Sequence, residues 1–169
     1  MMNGVKIRAD NAASVLAGLD RLSKMDVLVG IPESNAVRED GEELNNAEIG
    51  YLQSTGATVR LGGKEVTLPP RPFLDIGIED TQAITSEHLK AAAELALDGQ
   101  FHAAERELEK AGMVASNGAK RVISDGDRLI PISDMTKAHR RAQGLPGDKP
   151  LYAHGYLLRS ITFVVRGKN

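Results

Sequence analysis

One stretch divides the chain, Leu68-Pro69-Pro70-Arg71-Pro72-Phe73-Leu74, and it joins a β-rich first part to a helix-rich second part. Each proline fixes its own φ and keeps the residue before it out of the helical region, so this proline strap should be extended and stiff. Phe73 and Leu74 give the strap an apolar end, and we predict that they form a brace in the core. We expect Arg71, beside Pro72, to point outward.

The composition bounds the class of protein. The chain has 169 residues, with 21 Lys and Arg against 23 Asp and Glu, which gives a net charge of −2 and no general attraction to nucleic acid or acidic membranes. We predict a single domain over residues 1–169. The lack of cysteine excludes disulfides and thiolate chemistry and is compatible with a reducing cytoplasm. No apolar run approaches the roughly 20 residues that a membrane helix needs, so we expect a soluble protein.

The first part predicts strands and short helices. A helix is expected within Asp10–Lys24, a buried strand over residues 26–31, and a short helix capped by Asn45 or Asn46. Residues 58–68 read as a β-hairpin with a two-residue Gly62-Gly63 turn. That turn pairs Arg60 with Glu65, Val59 with Val66 and Thr58 with Thr67, and all three pairs are favourable.

The second part predicts mostly helix. One helix is expected over Thr81–Leu97 and another from Phe101 to about residue 122, joined either by a kink or by a break at Gly99. A Ser133-capped helix and a last strand over residues 160–166 follow. The predicted fold class is α+β. A small, mainly antiparallel sheet built from residues 26–31, 58–68 and 160–166 packs against helices, including the long kinked helical segment.

Candidate sites are few, and no catalytic constellation, metal site or cofactor is predicted. Clustered carboxylates could hold a divalent cation, but their spacing does not fit a calcium loop, so we predict a solvated loop. Two histidines with nearby glutamates, His88 and His102, are interpreted as surface residues. One basic patch could meet phosphates, pair with an acidic neighbouring subunit or remain solvated. The carboxylates are Glu39, Asp40, Glu42 and Glu43, and the patch is Lys137, His139, Arg140 and Arg141.

Several short motifs, taken in order, resemble the neck and tail-completion proteins of tailed bacteriophages and prophages. The motifs are residues 27–31, the proline strap, a long helical stretch, Pro131-Ile132-Ser133 with Thr136 and Arg140, and the block from Pro150 to Ile161. In that family the strap commonly reads as a proline-rich Arg-Pro-Phe segment, and the last block as Pro-Leu, then Gly, Leu and Ser-Ile before a final strand. The chain departs from the family pattern at His154, where the family often has Thr, and at Ile49-Gly50-Tyr51, where it has a Glu-Phe-Gly-like element.

The resemblance implies a structural virion protein, not an enzyme. It implies a homo-oligomeric ring, six-fold in that family, which joins tail to head at the neck. Other neck, connector and tail proteins would be its partners, and DNA would pass through the lumen without sequence specificity. The protein would be assembled in the bacterial cytoplasm, with no membrane involved. We expect the subunit or partner interface to use Arg71, Pro72, Lys137, Arg140 and Arg141.

Two alternatives stay open. Within the same class, the protein could be a tail terminator ring that caps the tail tube. In a different class, it could be a metal-dependent nuclease that uses the acidic run, or a sequence-tolerant DNA-binding protein whose phosphate contacts are Lys137, Arg140 and Arg141.

Overall fold

A computed structural model describes residues 11–38, 44–61, 63–145 and 147–168, with the side chain of Leu61 left aside. The described part combines helices with two small antiparallel sheets, which confirms the predicted fold class. In chain order the elements are α1 Ala12–Ser23, β1 Met25–Gly30, α2 Glu33–Ala36, α3 Asn46–Thr55, β2 Ala57–Leu61, β3 Lys64–Leu68, α4 Phe73–Leu97, α5 Phe101–Asp125, α6 Asp134–Ala142, α7 Tyr156–Ser160 and β4 Thr162–Gly167.

The longest elements, α4 and α5, form a helical hairpin. The chain breaks at Asp98–Gln100, where Gly99 has a φ of 75°, so one of the two predicted arrangements is found. The helices approach so closely that a Cβ on Gly77 would overlap the backbone of Ala119, and one on Gly118 would overlap the carbonyl of Gly77. The hairpin is thus the packed centre of the fold.

Helix α4 begins at Phe73, two turns before the predicted start at Thr81. Pro72 occupies the N-cap position, and the N–H of Ile76 donates to the Pro72 carbonyl at 3.1 Å. Proline restricts the residue that precedes it but favours helix in the residues that follow. The apolar end of the strap is therefore the first turn of the helix. There Phe73 is fully buried and Leu74 packs against the same cluster.

Strands β1 and β4 pair antiparallel, from Met25 opposite Gly167 to Gly30 opposite Thr162. One face of this pair packs on α5, where Phe163 fills the space that a side chain at position 112 would need. On the other face Leu28 lies opposite Val164, and they remain 41% and 39% exposed. Within the described residues the pair is therefore covered on one side only.

The β2–β3 hairpin has the predicted register, with Arg60 opposite Glu65, Val59 opposite Val66 and Thr58 opposite Thr67. The prediction of one shared sheet is wrong, because the described strands form two separate two-stranded sheets. The hairpin is held in place by contacts with residues that are close to it in the sequence. Helix α3 leads directly into β2, and the N–H of Arg71 donates to the carbonyl of Gln53 at 2.7 Å, which holds the strap against α3.

The caps predicted for α3 and α6 are both found. Asn45 forms a capping box at the start of α3 with Glu48, and the Ser133 hydroxyl accepts from the N–H of Thr136 at 3.2 Å at the start of α6. The main core lies between α4, α5 and α7. Its buried members are Phe73, Ala119, Val122, Ile123, Leu129, Leu157 and Ile161.

Candidate functional site

Arg71 points into the protein, so the prediction of an outward charge is wrong. The residue is 6% exposed, and its guanidinium donates from Nε to the Ile130 carbonyl at 2.7 Å and from Nη2 to the Pro131 carbonyl at 3.1 Å. Nη1 donates to Oε1 of Gln53 at 3.0 Å. An irregular backbone leaves carbonyls without regular partners, and a rigid fork of donors satisfies them. Arg71 therefore ties the proline strap to the segment before α6, at Ile130 and Pro131, and to α3.

Arg140 is also turned inward, and the predicted basic patch is not one surface. Arg140 is 9% exposed, and its Nη1 donates to the carbonyl of Lys149 at 2.8 Å. Lys137 lies 3.1 Å from the Asp134 carboxylate, on the same helix. Arg141 is exposed, with its Nη2 3.5 Å from the carboxylate of Asp148. Helix α6 places these three cations in three different environments.

The two buried arginines face a cavity of about 430 Å³. It lies between α3, the end of β3, the start of α6 and the segment that precedes α7. Three arginines, Arg38, Arg71 and Arg140, and the imidazole of His154 line it in the described part of the chain, and no described acidic side chain does. Apolar side chains form much of the rest of the wall, among them Ile49, Val66, Leu68, Ile132, Leu151 and Leu157, together with polar side chains such as those of Asn46 and Gln53. The cavity is thus both apolar and electropositive, in a chain whose net charge is negative.

Burial perturbs both guanidinium groups. It lowers the pKa of Arg71, and the nearby charge of Arg140 lowers that pKa further. Burial also lowers the pKa of Arg140, although the carboxylate of Asp148 opposes the change. Hydrogen bonds to carbonyls satisfy donors without neutralising charge. Among the described residues, carbonyl oxygens accept hydrogen bonds from both arginines, and Asp148 is the acidic residue that opposes the effect of burial on Arg140.

A second cavity, of about 390 Å³, shares Arg38, Asn46 and Tyr156 with the first. The ring of Tyr156 lies 5.7 Å from the Arg38 guanidinium carbon and 5.1 Å from that of Arg159, and it stacks on the ring of His154 at 5.4 Å. Cations on an aromatic face are attracted by its quadrupole. The basic lining therefore continues from one cavity into the other.

Asn46 lies where the two cavities meet. Its side chain is 4% exposed, and its Oδ1 accepts no hydrogen bond from the described part of the protein. Buried polar atoms without a partner are rare in folded proteins. Nearby, Leu151 has a φ of 60°, which is costly for a residue with a branched side chain. In the sequence Asn46 was predicted only as a cap, and neither Tyr156 nor Arg159 was predicted as a site residue. The signal present in the sequence is the close spacing of His154, Tyr156 and Arg159 in one block.

The other titratable candidates have structural surroundings. His88 was interpreted as a solvated surface residue, but its Nδ1 lies 2.7 Å from Oε2 of Glu107 and joins α4 to α5. Hydrogen bonds from Lys110 and then from His88 lower the pKa of Glu107. His102 is exposed, 3.5 Å from Glu105.

The described residues contain neither a metal-ligand cluster nor a membrane-spanning helix. The acidic run, residues 39–43, lies outside the described residues. Elsewhere in the described ranges, no group of three or more His, Asp or Glu could hold a metal ion. Among the described helices none is both long and apolar enough to cross a bilayer.

Comparison with known proteins returned no relative: no protein-family profile, no curated protein and no solved structure matches the chain.

Proposed function

We propose that the protein is a structural subunit of a tailed-phage virion, which forms a ring at the neck and joins the tail to the head. The proposal starts from the order of the sequence motifs, above all the proline strap and the block from Pro150 to Ile161. In the folded chain these two motifs meet, because both line the cavity that contains Arg71 and Arg140. Segments far apart in sequence thus build one feature of the fold, which supports treating them as one signature.

The uncovered face of the β1–β4 pair is the observation that carries self-association. Leu28 and Val164 are a cross-strand pair of exposed apolar side chains, beside a groove of about 480 Å³ that Ile31 and Pro32 also line. Within the described residues β1 and β4 pair only with each other, so each has an edge open to another strand. Open edges and exposed apolar groups are typical of surfaces that are covered in an assembly.

In a ring, such a surface is covered by the neighbouring subunit. In a closed ring the same head-to-tail contact is repeated once for each subunit, so many weak contacts together hold the ring. The two surfaces that meet in such a contact can be different parts of the subunit. In this proposal the ring joins connector and tail proteins in the virion, and DNA passes through its lumen. A tail terminator that caps the tube uses the same architecture.

The DNA-binding alternative gains no support from the geometry. Its three proposed phosphate contacts do not form one surface, since Arg140 is buried and Lys137 and Arg141 lie near carboxylates. The nuclease alternative depends on residues outside the described ranges.

The mass of the purified protein tests self-association. We expect mass photometry and electron microscopy to show rings, either alone or after addition of connectors or tails from the parent phage. Leu28→Glu should abolish them, because it places a charge on the uncovered sheet face. Leu16→Glu is the matched control, since Leu16 is 66% exposed on α1, outside that face, and the charge change is the same. A strict monomer that adds to neither connectors nor tails would overturn the ring.

The place in the virion needs a second experiment. A cryo-EM map of the parent particle, with the protein carrying a compact tag, should show additional density at the neck. Particles without the protein, or density elsewhere on the virion, would refute the assignment even if the purified chain forms rings.

A further inference from the structure

We infer that the cavity of Arg71 and Arg140 is a binding site for a short peptide segment of a partner protein, in which a carboxylate lies beside apolar side chains. The inference does not depend on the ring, because it concerns a different surface from the β1–β4 face. The volume of the cavity, about 430 Å³, lies within the range of functional ligand pockets.

The charge of the lining selects a carboxylate. Arg140 donates hydrogen bonds only through Nη1 in the described part of the protein, so Nε and Nη2 remain available to a ligand. Arg71 adds a second buried positive charge, and His154 lies on the wall. Guanidinium groups bind carboxylates with two parallel hydrogen bonds, and partial burial strengthens the attraction. An anion would relieve the repulsion between the two arginines.

The side-chain oxygen of Asn46 favours a peptide over other ligands that carry a carboxylate. Oδ1 is a buried acceptor that has no donor among the described residues, so a group that moves next to it must bring a donor, and a simple carboxylate has none to offer. A peptide carries backbone N–H groups at fixed distances from its side chains. A peptide segment can therefore satisfy the acceptor and the cations together, while its apolar side chains contact Ile132, Leu151 and Leu157.

The burial of the arginines argues against duplex DNA. Arg71 and Arg140 are both more than nine-tenths buried, whereas the phosphates of a duplex lie on a rigid convex surface. A flexible side chain that ends in a carboxylate can enter the cavity.

The test uses the full chain and a fluorescent five-residue peptide with blocked ends, in which glutamate stands between two leucines. We expect the peptide to bind, its affinity to fall as salt is added, and amide resonances of cavity-lining residues to shift. The peptide with glutamine in place of glutamate should bind more weakly. No binding at about 1 mM peptide, or equal affinity for the glutamine version, would overturn the proposal.

Variants at the cavity rim locate the site without disturbing the fold. Met135 lines the cavity and is 76% exposed. Met135→Glu should weaken binding by about twofold to fivefold and Met135→Lys should strengthen it by a similar factor. Leu16→Glu, which makes the same charge change on α1, should leave the affinity unchanged. If Met135→Glu and Leu16→Glu have equal effects, the peptide binds elsewhere and the proposal fails.

Three further probes separate the source of the anion. Binding of 4-methylpentanoate as tight as that of the peptide would overturn the peptide assignment in favour of a free carboxylate. Binding of duplex DNA that responds to Met135→Glu, without peptide binding, would overturn it in favour of phosphate. Peptide binding that appears only when Glu39, Asp40, Glu42 and Glu43 are neutralised would identify the chain's own acidic run as the occupant, which also overturns the partner assignment.

Discussion

Replacing Arg71 by methionine should destabilise the protein, because the residue ties three segments together. Methionine keeps the apolar stem but removes the donors to the carbonyls of Ile130 and Pro131 and to Gln53. A hydrogen bond from a charged donor contributes about 1.5–3 kcal/mol. Removing the cost of burying the charge offsets part of that sum, as does rehydration of the two carbonyls. We expect a net loss of about 2–4 kcal/mol in the free energy of unfolding.

Urea unfolding followed by circular dichroism measures this loss, and thermal unfolding should show a midpoint about 5–15 °C lower. Arg71→Lys should recover little, because an ammonium group cannot reach three acceptors in a fork. Arg141→Met is the matched control: that guanidinium is exposed, and its removal should change the free energy by less than about 0.5 kcal/mol. Equal stabilities of the Arg71→Met and Arg141→Met variants would refute the structural role of the bridge.

Three more outcomes are expected. Phe73→Ala should cost about 3–5 kcal/mol in urea unfolding, because the ring is fully buried; a loss below about 1 kcal/mol would contradict its role as the brace. Gly77→Ala should destabilise by about 1–3 kcal/mol despite the better helix propensity of alanine, since α5 leaves no room, whereas Gly30→Ala has open space and serves as the control. Glu107→Gln should lower the stability at pH 6, and the difference from the unchanged protein should vanish as the pH falls well below 4.5. Contacts with Lys110 first of all, and then with His88, hold the pKa of Glu107 in the folded protein below its value in the unfolded chain. The stabilisation is therefore complete above the unfolded pKa and is lost as the pH falls through the folded pKa. A difference that persists at low pH would show that the contact is not ionic.

The parts of the fold that depend on neighbouring residues were predictable from the sequence. Loop length alone predicts the register in which β2 pairs with β3, and Ser133 caps its helix through the next turn. Gly99 itself indicated an interruption between the two helices, although a kink and a break both stayed open. In each case the cause and the effect lie within a few residues of one another.

What was missed depends on contacts between distant segments. The side chain of Arg71 turns inward because it bonds to the carbonyls of Ile130 and Pro131, which lie 59 and 60 residues further along the chain. No sequence pattern near the strap indicates these partners. The inward turn of Arg140 likewise depends on the carbonyl of Lys149 in an irregular loop. Strand pairing is similar, because sequence patterns identify strands but do not say which strands meet. The candidate cavity could therefore not be predicted, although most of the segments that line it appear among the sequence motifs.

The pairing of β1 with β4 also has a consequence for the order of folding. The two strands lie more than 130 residues apart in the sequence, from Gly30 opposite Thr162 to Met25 opposite Gly167. The α4–α5 hairpin closes through a turn of three residues, so its loop-closure entropy is small and we expect it to form early. The β1–β4 ladder must wait until the last strand has been synthesised. Until then the face of α5 that Phe163 later covers is open, and a nascent chain can associate with other molecules there.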